Sequence, residues 1–155
     1  ALLSKDRTRQ WLVEAVGRAR VRHEFDVWAY VIMPEHAHLL IHPRCHEYDM
    51  SAILTAIKWP VAIQSKRYLE KHAPQWLPRL TETTPGGRAS VRFWQRGGGY
   101  DRNVRDDRAL GSMVEYIHAN PVRRGLVNTP SEWRWSSAPW YDGVADVPLQ
   151  MDDTI

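Results

Sequence analysis

Two histidines stand one residue apart at His36-Ala37-His38, and Tyr116 and Asn120 stand four residues apart much later in the chain. On a β-strand, residues i and i+2 project from the same face, with about 7 Å of chain between them. Two imidazoles placed so can share one metal ion. The spacing alone equally fits two half-exposed strand histidines. Structural zinc is disfavoured: His42 and His46 could join such a site, but Cys45 offers a single thiolate and no paired-ligand pattern accompanies it. At roughly 100° per residue along a helix, Asn120 lies about 40° from Tyr116 and His118 about 160° away. Tyr116 and Asn120 can therefore share a site that His118 does not face. The plainer alternatives are a flank tyrosine with a wetted hydroxyl and an asparagine that ends a helix before Pro121.

These groups need a strand and a helix to carry them. Phe25–Met33 is β-rich and almost continuously apolar, which predicts a central strand. Pro34-Glu35 predicts a short turn, and His36–His42 a second strand in a hairpin with the first. Its other face, Ala37, Leu39 and Ile41, is pure core, so the histidine face is the solvent or site side, continued by Leu40 and His42. Leu110, Met113, Val114 and Ile117 are spaced as one buried stripe, which predicts a helix over Asp107–Ala119, capped by Asp106 or Asp107 and stopped by Asn120-Pro121. Arg7–Arg22 reads as an amphipathic helix with Leu12, Ala15, Val16 and Ala19 inward. Asp49–Lys71 reads as another, with Pro60 expected to kink or split it. A long Pro/Gly/Thr-rich loop over His72–Ser90, a short strand at Val91–Gln95 and a glycine hinge at Gly97–Gly99 follow. The tail beyond Gly125 reads as mostly irregular, anchored by Trp133, Trp135 and Trp140. The order of elements predicts an α+β fold with helices on one sheet face.

The chain has 155 residues, enough for a single domain over 1–155 with one sizeable core. Its net charge is +3. The stretch Arg79–Arg108 carries seven arginines against four acids and so accounts for all of it. A footprint for a polyanion is expected there, or on basic residues that the fold sorts to one face. A single cysteine and the absence of a signal-peptide pattern suit a reducing cytoplasm. No apolar run approaches a membrane span.

Two longer segments carry a resemblance. Tyr30-Val31-Ile32-Met33-Pro34-Glu35-His36-Ala37-His38-Leu39-Leu40-Ile41 resembles the histidine–hydrophobic–histidine segment of the single-tyrosine transposases of the HUH superfamily. Tyr116-Ile117-His118-Ala119-Asn120-Pro121-Val122-Arg123-Arg124-Gly125-Leu126-Val127 resembles their tyrosine helix, closest to the REP-associated branch. Trp94-Gln95-Arg96, Asp101-Arg102 and Trp135-Ser136-Ser137 resemble shorter signatures of that branch. The pieces stand in family order over most of Arg7–Ser137. The resemblance implies a ferredoxin-like antiparallel sheet with the catalytic tyrosine, Tyr116, on a C-terminal helix. It implies His36 and His38 as metal ligands, with Asn120 at the place of a third, for Mg²⁺ or Mn²⁺. The family begins with a strand ahead of the first helix, and here that strand is expected to be missing. Glu35 stands where the family often has Asn.

The implied activity is metal-dependent nicking and strand transfer on single-stranded or hairpin, REP-type DNA through a 5′-phosphotyrosine, by a monomer or homodimer. Such a substrate asks for cations for phosphates and aromatic faces for bases. Trp94, Arg96, Tyr100, Arg102 and Arg105 interleave the two around the glycine hinge, and Arg123 and Arg124 follow the tyrosine helix. For Trp94, burial in the core is the plainer alternative. The competing reading is an inactive or domesticated nucleic-acid-binding module of the same fold. A replication-initiator or relaxase-like nuclease fits less well, because His42 does not match a third histidine cleanly. A zinc hydrolase is disfavoured because Glu35 reads as lying on the side opposite the histidines.

Overall fold

The computed structural model describes residues 1–83, 86–87, 89–95, 103–104 and 106–155. A 3₁₀ turn at Leu2–Ser4 leads into α1 (Asp6–Arg22). The hairpin β1 (Phe25–Ile32) and β2 (Ala37–Pro43) follows, then α2 (Met50–His72). A helical turn α3 (Leu77–Leu80) precedes a small hairpin of β3 (Thr81–Thr83) and β4 (Ala89–Val91). The chain ends with α4 (Asp107–Arg123), the short α5 (Ala138–Tyr141) and an extended tail. The fold is mixed α and β, with two antiparallel two-stranded sheets among the described residues.

Strand β1 is buried on both faces, and a bulge decides which residues share each face. The register runs from Phe25 opposite Pro43 to Ile32 opposite Ala37, with a slip between Val27 and Ala29. The extra residue, Trp28, reverses the in–out phase of the strand. Phe25, Val27, Tyr30 and Ile32 therefore share one face and pack with Leu12 and Val16 of α1 and Ile53, Ile57 and Val61 of α2. Ala29, Val31 and Met33 take the other face and pack, with Leu40, against Val114 and Ile117 of α4. This corrects the expectation of helices on one face. A strand apolar on both sides needs a cover on both, and α4 supplies the second.

Both prolines lie within helices: Pro60 does not split α2, and Pro121 does not end α4. Pro60 lies inside α2, which runs unbroken as one helix. Its missing hydrogen bond and ring clash cost about 3 kcal/mol. Ile53, Ile57 and Val61 straddle it and are all buried, each contributing roughly 1.5–3 kcal/mol, so burial outweighs the defect. Helix α4 continues past Asn120-Pro121 to Arg123. The Asn120 side-chain amide donates to the Tyr116 carbonyl at 2.7 Å and leans toward the Ile117 carbonyl at 3.5 Å, the acceptor that Pro121 leaves without a partner. The helix stops one turn later, where Gly125 adopts φ +66°. There Leu126 N–H bonds the Pro121 carbonyl and Gly125 N–H the Val122 carbonyl, the two bonds of a glycine-terminated helix.

Two loop expectations are also corrected. His72–Ser90 holds α3 and the β3–β4 hairpin, whose register pairs Thr81 with Val91. The later strand is Ala89–Val91, two residues before the expected one, because its partner Thr81–Thr83 was hidden by weak, mostly polar alternation. The expected hinge at Gly97–Gly99 lies outside the described residues.

The tail closes the outer edge of β1. Ile32 N–H bonds the Trp135 carbonyl at 2.8 Å, and Ser137 N–H bonds the Tyr30 carbonyl at 3.0 Å. Further along, Val27 N–H donates to the Asp152 carboxylate at 2.8 Å, which also pairs with Arg20. Trp133 and Trp135 act as the expected anchors, with indole N–H groups on the Ile32 carbonyl and the Asp6 carboxylate. An irregular segment thus spares the molecule an open strand edge. Among the described residues no helix is long and apolar enough to cross a membrane.

Candidate active site

The β1–β2 turn is closed by a bond from Met33 N–H to the His36 carbonyl at 2.8 Å. It delivers His36 at the mouth of the hairpin. His38 follows on β2 opposite Val31, on the face that α4 covers. Ala37, Leu39 and Ile41 turn the other way into the main core, as their alternation predicts. The two imidazoles lie with centroids 4.8 Å apart, edge to face. Tyr116, nearly eighty residues later in sequence, sets its ring 5.6 Å from that of His38, again edge to face. Tyr116 stays 44% exposed, so the phenol can meet a large substrate. The tyrosine and both histidines belong to one chain.

Burial, and to a lesser degree the neighbouring His36, holds the His38 pKa below the ordinary imidazole value. At neutral pH that ring is uncharged, with a lone pair to give. Two adjacent imidazoles, at least one of them neutral, suit a borderline divalent ion. Among the described residues no cluster of three His, Cys, Asp or Glu could hold one. A cation on this pair would keep positions for substrate oxygens and water, which is the character of a catalytic rather than a structural site. Asn120 is buried, and its amide nitrogen is spent on its own helix backbone. Its Oδ1 is therefore the one atom it can offer as a ligand. His42, on the same strand face, is stacked flat on Trp28 with centroids 4.5 Å apart.

The cationic candidates divide. The Arg123 guanidinium lies 5.3 Å from the centre of the Tyr116 ring. Arg124, the last residue of the tyrosine helix turn, faces the histidine turn. Both are exposed, Arg123 over the Tyr116 ring and Arg124 with its Nη2 4.0 Å from the Glu35 carboxylate. Trp94 packs against the core and its indole N–H bonds the Lys58 carbonyl of α2 at 2.9 Å, so its edge is occupied by structure. Arg96, Tyr100, Arg102 and Arg105 lie outside the described residues.

Glu35 and His118 meet partners that periodicity alone does not predict. Strand alternation would put Glu35 on the side away from the histidines, but its Oε2 stands 3.9 Å from His36 Nδ1, because a turn residue does not obey that alternation. His118 does face away from Tyr116, as its helical angle requires, and what it meets there was not foreseen. Its Nε2 lies 2.8 Å from Ser137 Oγ, which also bonds the backbone of Tyr30. The Trp135-Ser136-Ser137 signature was the available signal. Burial pushes the His118 pKa down to about 4, against an opposing pull from Asp142, and Tyr141 meets the ring edge to face.

That depression predicts acid sensitivity. Between pH 6.5 and 4 the unfolded chain takes up a proton at His118 that the folded chain refuses. The stabilisation is complete above about pH 6.5 and is lost as pH falls toward 4. The ring is partly exposed, so the expected loss is on the order of 1–2 kcal/mol. Urea unfolding at pH 7.5 and pH 4.5 checks it: the drop should shrink in His118→Gln, and an equal drop in both proteins would refute the assignment.

No family model matches the chain. A Haemophilus influenzae protein named as a REP-associated tyrosine transposase is 26% identical over 143 residues, which is 88% of this chain and 76% of that protein. Over most of its length this chain is similar in sequence to that transposase. The solved structure of such a transposase bound to a REP hairpin superposes with a TM-score of 0.63, over 97% of this chain and 78% of that one, at 21% identity. The fold is thus the tyrosine transposase fold. The two long segments that carry the resemblance, the histidine hairpin and the tyrosine helix, are also the two elements that the tertiary structure brings together.

Proposed function

We propose that this protein is a DNA-nicking and strand-transfer enzyme, a transposase acting on single-stranded or hairpin DNA of the REP type. The observation that carries the reading is the meeting of Tyr116 with the His36–His38 pair in one chain, ring to ring, from opposite ends of the sequence. The relatives' names and the hairpin in the related structure support the substrate class.

In this reading Tyr116 Oη attacks the scissile phosphorus. A bond forms from Oη to phosphorus and the bond to the 3′ oxygen breaks. The phenol proton passes to water, and the departing 3′ oxygen takes one up. The product is a 5′-phosphotyrosine and a free 3′-OH. Because the link keeps the energy of a phosphodiester, a second 3′-OH can reverse the step and join new ends without ATP. His36 and His38 would hold a divalent ion, Mg²⁺ or Mn²⁺, with Oδ1 of Asn120 as a third donor, and the ion would polarise the phosphate that Tyr116 attacks. Arg123 and Arg124 supply charge to the strand passing the helix end.

The test is a denaturing-gel assay with hairpin oligonucleotides from the gene's own flanks. With Mn²⁺, a protein–DNA adduct is expected, and EDTA should abolish it. Hairpin binding without any adduct would favour the inactive binding module.

A further inference from the structure

The turn that presents His36 also presents a carboxylate to it. Glu35 precedes His36 in the Pro34-Glu35 turn, and its Oε2 stands 3.9 Å from His36 Nδ1. The same oxygen stands 4.0 Å from Arg124 Nη2. Arg124 ends the helix that carries Tyr116, where the Gly125 termination fixes its backbone. One acid thus stands between a histidine of the site and the end of the tyrosine helix.

We propose that Glu35 is a positioning residue for His36: it draws the ring proton to Nδ1, leaves the Nε2 lone pair free for a cation, and is itself held by Arg124. A neutral imidazole can carry its proton on either nitrogen, and only one tautomer offers Nε2 as a ligand. Histidines that bind metals commonly hand their other N–H to a carboxylate, which fixes both tautomer and ring orientation. At 3.9 Å the contact is electrostatic and longer than a hydrogen bond. Closing it needs a rotation of the Glu35 side chain, which is half exposed and has room to move. Arg124 offsets the negative charge so that the acid stays near the ring. Because exposed ion pairs contribute only about 0–1 kcal/mol, Glu35 has little to do with holding the fold, which separates positioning from structure. The proposal rests on the reading of His36 and His38 as ligands.

The experiment has two readouts on the protein alone. Long-range ¹⁵N–¹H NMR of the histidine rings at pH 8, without metal, reports tautomers; the His36 signals are identified by their loss in His36→Ala. Electron paramagnetic resonance of free Mn²⁺ reports affinity. In the unaltered protein His36 should be mainly the Nδ1–H form. Glu35→Leu should move it toward Nε2–H and weaken Mn²⁺ binding about tenfold. Glu35→Gln keeps an acceptor oxygen and should retain the tautomer, with affinity within about threefold. All variants should melt within a degree or two of the parent. Glu35→Leu with parental tautomer and parental affinity would overturn the proposal while leaving the ligand reading standing. Mn²⁺ binding that is unsaturable, or unchanged in His38→Ala, would instead overturn the ligand reading itself, whatever the tautomer does.

Discussion

Tyr116→Phe is expected to abolish covalent attachment to hairpin DNA, by more than about a thousandfold, while leaving hairpin affinity within a factor of two or three. The substitution removes one oxygen, the nucleophile of the proposed step, and nothing at the site replaces it. The ring stays, and with it the edge-to-face contact to His38 and the stack beneath Arg123. The phenol is exposed and its side chain sits on the rim of α4 outside the Val114–Ile117 stripe, so the fold loses nothing. Denaturing gels read the adduct, and fluorescence anisotropy with the same oligonucleotide reads binding. An adduct of undiminished yield in Tyr116→Phe would remove Tyr116 from the chemistry and, with it, the basis of the proposed function.

His38→Ala is expected to lower the metal-dependent rate about a hundredfold or more. His38 is the half-buried member of the pair, kept neutral by burial, and the one whose ring touches Tyr116. In the proposed reaction, removing it takes away a ligand and one wall against which the nucleophile is set, so both metal affinity and orientation suffer. His36→Ala, at the more exposed mouth of the turn, should lose the ligand alone and so retain more activity at high Mn²⁺. A Mn²⁺ titration of adduct formation checks both. If His38→Ala matched the parent at every Mn²⁺ concentration, the histidine pair would have no part in the reaction. Circular dichroism melts confirm that the variants fold.

Much of the site was legible in the sequence because it depends on periodicity. The two-residue repeat of β2 is enough to send Ala37, Leu39 and Ile41 into the core and His36 and His38 to the opposite side. The helical repeat of α4 is enough to bury Val114 and Ile117, to set Tyr116 on the flank and to point His118 away. These are properties of a single element, and local geometry decides them. Which elements face each other is a different matter. Which β1 residues lie behind the histidine face follows from the bulge at Trp28, which turns Ala29, Val31 and Met33 toward α4, and a bulge is a relation between two strands. That the tail closes the β1 edge follows from which carbonyls and amides the hairpin leaves unpaired. That α2 survives Pro60 follows from burial against α1, large enough to outweigh a local defect. The same holds for single side chains. Asn120 could have been a ligand or a cap by its sequence, and the carbonyls of its own helix claim its amide nitrogen. Glu35 belonged to no repeat, so only the closed turn and the end of α4 decided that it stands between His36 and Arg124. The sequence by itself determined which groups each element presents. The packing of hairpin, helix and tail against one another, a balance of burial and backbone hydrogen bonding spread over the whole chain, decided which of those groups meet.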